Sequence, residues 1–217
     1  MIGDNITLQP HHYRTAEKIL DILLPHLANQ NRFCVSIGGE SGSGKSVTAI
    51  CLANLLNQCN IPTVVFHQDD YFKLPPETNR QARAKDLGHV GVSEVDMELI
   101  EKHITAFKQY QKEIVKPLVL FKENRIETET ISFEHCKVLI FEGTYSSLLP
   151  VDFRVFMGRN YIQSHEQRLA RGRDVFDDNL NDILAIEHKI IGPHAAIANV
   201  YVDANYDVCI TKNNPIL

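Results

Sequence analysis

The stretch GGESGSGKSVT, Gly38 to Thr48, follows the apolar run FCVSI and contains four glycines, three serines and a single lysine. Such a segment cannot fill a core. Its missing side chains let backbone N–H groups come close to a ligand. Within it, GESGSGKS (Gly39–Ser46) fits the spacing G-x-x-x-x-G-K-[ST], with a buried strand expected before it and a helix after it.

That spacing answers a specific demand. A polyphosphate is densely negative, so it needs a ring of inward N–H donors, a helix N-terminus and one long cation. Gly39, Gly42 and Gly44 keep the ring open, Lys45 reaches the terminal phosphates, and the Ser46 hydroxyl is a ligand for Mg²⁺. Gly39, Glu40, Ser41, Gly42, Ser43, Gly44, Lys45, Ser46 and Val47 are therefore the candidate nucleotide-binding residues.

Working outward, short apolar runs alternate with helical spacing. FCVSIGG, TVVFHQDD, KVLIFEG, RVFMG and YDVCIT read as five strands. Ala16–Leu27, Ser46–Cys59, a segment capped by Ser93, and Tyr161 to about Val200 read as helical. PLVLFKENRIETETISF (Pro117–Phe133) reads as a β-hairpin. Strands alternating with helices predict an α/β three-layer sandwich, a five-stranded parallel sheet with helices on both faces, and ligands at the carboxyl ends of the strands.

Two of those ends carry acids. Asp69 and Asp70 close the second strand run, and strand alternation directs only one of them into the cleft. A carboxylate there can take the proton of an acceptor hydroxyl. Glu142 closes LIFEG, where a carboxylate can orient Mg²⁺. RLARGRD (Arg168–Asp174) holds three arginines within six residues, suited to a mobile lid that bears phosphoryl charge. A solvated basic helix face is the plainer reading of that run.

Composition sets outer bounds. The chain has 217 residues, 44% of them hydrophobic, and a net charge of −5. That charge offers no global attraction for nucleic acid or an anionic membrane. The five cysteines are scattered without C-x-x-C spacing, which suits a reducing, cytoplasmic compartment. No apolar run approaches the ~18 residues of a spanning helix, and the N-terminus lacks the form of a signal peptide. The apolar hairpin strand PLVLF is an edge available for self-association, as in a homo-oligomer.

In order and spacing these segments resemble the uridine kinase family of P-loop small-molecule kinases, which includes nicotinamide riboside kinase and phosphoribulokinase. GGESGSGKSVTA, QDDYFK, EVDMELI, Pro117 with Phe121, VLIFEGTYSSLL, RGRD and YDVCIT carry the resemblance nearly end to end. It implies one P-loop kinase domain over 1–217, with a substrate-side insert at about 71–133 and a lid at about 160–178. It implies ATP-dependent transfer to a primary hydroxyl of a nucleoside-like small molecule, nearest to uridine. Asp69 is then the general base, Arg171 and Arg173 are the lid arginines, and Ser46 and Glu142 serve the metal. Other acceptors in view are nicotinamide riboside and a sugar or pentose phosphate; a regulator that binds nucleotide without transfer is the alternative of another class.

Where the family reads its substrate, this chain departs. Val119 and Leu120 replace a Tyr-Asp pair, Asn124 falls at the base-reading histidine, Val90 at the ribose aspartate and Glu166-Gln167 at a lid Arg-Asp pair. His67, His89, His103, Arg80 and Arg83 are alternative acceptor contacts, with packing the commoner role for each.

Overall fold

The structure, a computed structural model, describes residues 7–171 and 179–214. Helix α1 (Pro10–Leu27) starts with proline at its first turn, where a missing N–H costs nothing, and buries Ala16, Ile19, Leu20 and Leu23 at helical spacing. Strand β1 (Phe33–Gly39) is buried along its whole length and runs into the glycine loop. Helix α2 (Lys45–Gln58) begins at the lysine of that loop. Strand β2 (Thr63–His67) leads into a 3₁₀ turn, Gln68–Tyr71. Helices α3 (Pro76–Lys85) and α4 (Met97–Lys108) come next. Then come the hairpin strands β3 (Glu113–Leu120) and β4 (Arg125–Ser132), followed by β5 (Val138–Gly143) and β6 (Phe153–Met157). Helices α5 (His165–Arg171) and α6 (Leu180–Ile191) and strands β7 (Val200–Val202) and β8 (Val208–Ile210) complete the chain.

The main sheet runs β2-β5-β1-β6-β7-β8, and every pair is parallel except β7 with β8. Side-chain alternation divides the core in two. Val35, Ile37, Val138, Ile140 and Val155 face α1 and α2, while Cys34, Leu139, Phe141 and Phe156 face the side of α4 and α6. Helices thus cover both faces, as the strand rhythm predicts.

Three details differ from the sequence reading. The fifth parallel strand is Val200–Val202, and the segment around Tyr206–Thr211 supplies a sixth, antiparallel edge strand. Three residues between a helix and a turn are too few to show a period. The cap of α4 is Asp96, whose side chain accepts from Leu99 N at 3.0 Å; Ser93 sits in the preceding 3₁₀ turn, Val92–Glu94. Finally, α1 begins at Pro10 and passes through Pro25.

The hairpin β3–β4 is a separate two-stranded sheet, with Leu118 opposite Glu127 and Val119 opposite Ile126. The ordinary pairing of Lys116 with Glu129 in that register matters for the site below. Cys34, Cys51 and Cys136 are buried, Cys59 and Cys209 are exposed, and all five are free thiols. Among the described residues no helix is long and apolar enough to cross a membrane.

Candidate active site

Because β1, β2 and β5 are parallel neighbours, their carboxyl ends lie side by side. Ile37 of β1 and His67 of β2 both pair with Glu142 of β5. The glycine loop, the Asp69–Asp70 turn and Glu142 therefore meet at one edge of the sheet, where such folds take ligands.

The loop is shaped by glycine where it must be. Gly42 and Gly44 have φ of 74° and 100°, a region L-residues avoid. A Cβ on Gly44 would sit 2.7 Å from the Tyr206 hydroxyl, and one on Gly42 would meet Arg168 and Ser164. Lys45 is buried and donates from Nζ to the Glu40 carbonyl at 2.7 Å, curling across the loop. The hydroxyl of Ser43 is buried there without a described partner. An open ring with an orphaned hydroxyl and a buried ammonium fits a polyphosphate.

The Glu40 side chain fastens the loop to what covers it. It accepts from Tyr161 N at 2.7 Å and meets His188 Nδ1 of α6 at 2.6 Å. Ser164, at the start of α5, donates to the Ser41 carbonyl at 2.8 Å. Arg171 closes α5, but its side chain and the whole of Arg173 lie outside the described residues.

The two aspartates separate clearly. Asp69 lines a cavity of about 210 Å³. Asp70 is 2% exposed and turned away from it, meeting Lys116 Nζ at 2.8 Å and accepting from Val119 N at 3.1 Å. Lys116 also meets Glu129 at 2.8 Å. The turn is 3₁₀ and not extended, so its neighbours diverge by about a third of a revolution. The expectation that one acid faces the cleft holds, though not through strand alternation. Asp70 ties the hairpin to the turn that presents Asp69.

Glu142 is pinned by His67 Nδ1 at 2.6 Å. Burial alone would push its carboxyl up, but the His67 hydrogen bond and the nearby charges of His67 and Lys45 outweigh this and hold it well below its ordinary value. The stability it contributes is present above the unfolded carboxylate value of 4.5 and is lost as pH falls through the depressed folded value. His67→Ala should therefore flatten the acid limb of a melting-temperature profile below pH 4.5; an unchanged limb would count against the pairing.

An ionised carboxylate is an oxygen donor suited to a hard cation. Among the described residues no group of three or more His, Cys, Asp or Glu could hold a metal unaided.

The cavity wall is built from distant elements. Phe72, Leu74 and Pro76 follow the aspartate turn, Asn79 and Arg83 come from α3, Val119 and Phe121 from the hairpin, and Ser41 and Thr144 from the phosphate side. Helix α6 contributes Leu180, Ile183, Leu184 and Glu187, an i, i+3, i+4, i+7 stripe on one face. Of the alternative contacts weighed from sequence, only Arg83 lines the cavity; His103 bonds the Tyr71 hydroxyl, His67 holds Glu142, His89 bonds Asn79 and Arg80 bonds Glu77. Among the substrate-reading positions, Val119 is on the wall, Val90 is buried elsewhere, and Asn124 accepts from Glu77 N at 2.8 Å. Asn79 and Glu187 had no signal in the sequence: neither stands in a motif, and only the tertiary fold brings α3 and α6 together.

The model of the phosphoribulokinase/uridine kinase family matches residues 34–163. This chain belongs to that family. The match spans the loop, both aspartates, the hairpin and Glu142, and ends before the part of the cavity wall that α6 supplies. A uridine kinase from Yersinia pestis is 33% identical over 132 residues, 59% of this chain and 60% of that one. The bifunctional alpha-galactosidase/sucrose kinase of Mediterraneibacter gnavus is 28% identical over 158 residues, 67% of this chain but 17% of that one. This family member therefore spans less than two thirds of either relative. The structure described as that of "a Possible Uridine Kinase from Bacillus stearothermophilus" superposes with a TM-score of 0.65 at 16% identity, over 87% of this chain and 97% of that one. The fold is accordingly that of the P-loop kinases of this family.

Proposed function

We propose that this protein is an ATP-dependent kinase that transfers the γ-phosphoryl group to a primary hydroxyl of a nucleoside-like small molecule, nearest to uridine. The observation that carries the reading is Asp69: it lies on a cavity that also includes Ser41 of the glycine loop and Thr144 beyond β5. A hydroxyl seated there has a carboxylate beside it and the phosphate cradle next door.

Each residue then has a distinct task. The N–H groups of Gly39–Ser46 and the N-terminus of α2 hold the triphosphate. Lys45 exchanges its bond to the Glu40 carbonyl for the terminal phosphates. Asp69 takes the proton of the acceptor hydroxyl as the oxygen attacks phosphorus. Ser46 and Glu142 would hold Mg²⁺, which when bound neutralises phosphate charge. Arg171 and Arg173 are assigned to the lid, where guanidinium groups bear charge on the transferring oxygens. The insert at about 71–133 forms the acceptor side and the segment at about 160–178 the lid, within one domain.

A second reading is a sugar acceptor. It is favoured by the 28% identity to a sucrose kinase and by Val119 standing where a nucleoside kinase would have a polar reader. An ADP-release assay with MgATP and a panel of nucleosides and sugars decides between them. Release that depends on one acceptor supports the kinase; ATP binding without acceptor-dependent release would leave a nucleotide-binding regulator.

Lys45→Ala is expected to weaken ATP binding and to lower turnover together, since the lysine meets the phosphates in the ground and transition states alike. An unaltered nucleotide affinity, measured by calorimetry, would remove the loop from the proposal.

A further inference from the structure

The cavity carries an unusual balance of charge. Arg83 is the one cation among its described lining residues, and Asp69 and Glu187 are its anions. That arginine is already engaged. Its Nε and Nη2 meet Glu94 Oε2 and Oε1 at 2.5 and 3.1 Å, and its Nη1 meets Glu187 Oε1 at 3.1 Å. The Glu94 side chain is fully buried and saturated, accepting also from Asn79 Nδ2 and Gly91 N, both at 2.6 Å.

Two carboxylates therefore neutralise one guanidinium. Turning Arg83 toward an incoming phosphate would strip buried Glu94 of its cation, which is costly. Lys116, the buried cation of the hairpin, is committed to Asp70 and Glu129. Glu187 differs from Glu94: it stands on the wall itself, and its described contact with Arg83 uses one oxygen. Burial and the neighbouring Glu94 push its carboxyl up, while Arg83 and Lys45 pull it back.

We infer that Glu187 reads the acceptor by taking its O–H or N–H donors, and that the Arg83–Glu94–Glu187 triad restricts acceptors to uncharged or cationic molecules and turns away those bearing a phosphate. The inference rests on the kinase reading above and narrows it, removing the pentose phosphates from the acceptors in view. A like charge brought into a desolvated pocket is rejected strongly, as is a substrate that leaves a buried polar group unpaired.

The test compares acceptors that keep a free primary hydroxyl in both forms: uridine against uridine 3′-monophosphate and fructose against fructose 6-phosphate, with nicotinamide riboside as the cationic arm. With wild-type protein and MgATP, the phosphate-bearing partner of any acceptor that is used should fall on the order of 100-fold in kcat/KM. In Glu187→Gln that ratio should narrow by about 10-fold and the acceptor KM should rise while the ATP KM holds. Equal or better use of the phosphorylated forms by wild type overturns the inference and leaves the kinase reading intact. An unchanged ratio and acceptor KM in a folded Glu187→Gln overturns the role of Glu187. ATP binding without ADP release for every acceptor overturns the kinase reading and this inference with it. The wild-type ratio stands as the test even where the variant fails to fold.

Discussion

Asp69→Asn is expected to lower kcat by about 10²-fold or more while leaving ATP affinity nearly unchanged. The side chain lies on the cavity proposed to take the acceptor, and the substitution keeps its shape while removing its capacity to take a proton. The adjacent acid supplies an internal control, because Asp70 is held by Lys116 and Val119 N. Asp70→Asn should lower stability first, and turnover only as far as the hairpin shifts. Single-turnover kinetics on both variants, with melting curves alongside, separate the cases. A selective loss of kcat in folded Asp70→Asn, with Asp69→Asn active, would reverse the assignment.

Lys116→Met is expected to give the largest loss of stability. The lysine and Asp70 are 3% and 2% exposed. Removing the cation leaves a buried carboxylate whose other described contact is Val119 N. Breaking one side of a buried pair costs about 3–5 kcal/mol, which for a domain of this size is a fall of roughly 6–20 °C in melting temperature. Methionine keeps the stem, so the loss reports the charge and not a void. The double variant Asp70→Asn/Lys116→Met should recover much of it, since no ion is then stranded. A melting temperature within a degree or two of wild type for Lys116→Met would show that Asp70 is satisfied without the lysine.

What the sequence could reveal depended on how local each feature is. The glycine loop, Asp69 and Glu142 stand at the ends of apolar strand runs, and a parallel sheet gathers such ends without further information. The sheet itself was legible because β1 and β5 are buried on both faces and read as unbroken apolar runs. The cavity wall was legible only in part: Arg83 and Val119 stood among the residues weighed, while Asn79 and the α6 stripe did not. Arg83 has the look of a surface arginine on the polar helix α3, and Glu187 that of an ordinary acid on α6, until the fold sets them 3.1 Å apart. Lys116 likewise occupies an alternating strand whose register alone sets it against Glu129. The strand Val200–Val202 was hidden by its three-residue length.

Consecutive residues of α6 touch two different places: His188 grips Glu40 of the glycine loop, and Glu187 forms part of the cavity wall. A rigid rod that spans two pockets makes them mechanically one. Any shift of that rod on filling the first pocket is felt in the second, and thermodynamic reciprocity then requires each occupant to alter the other's hold by the same factor.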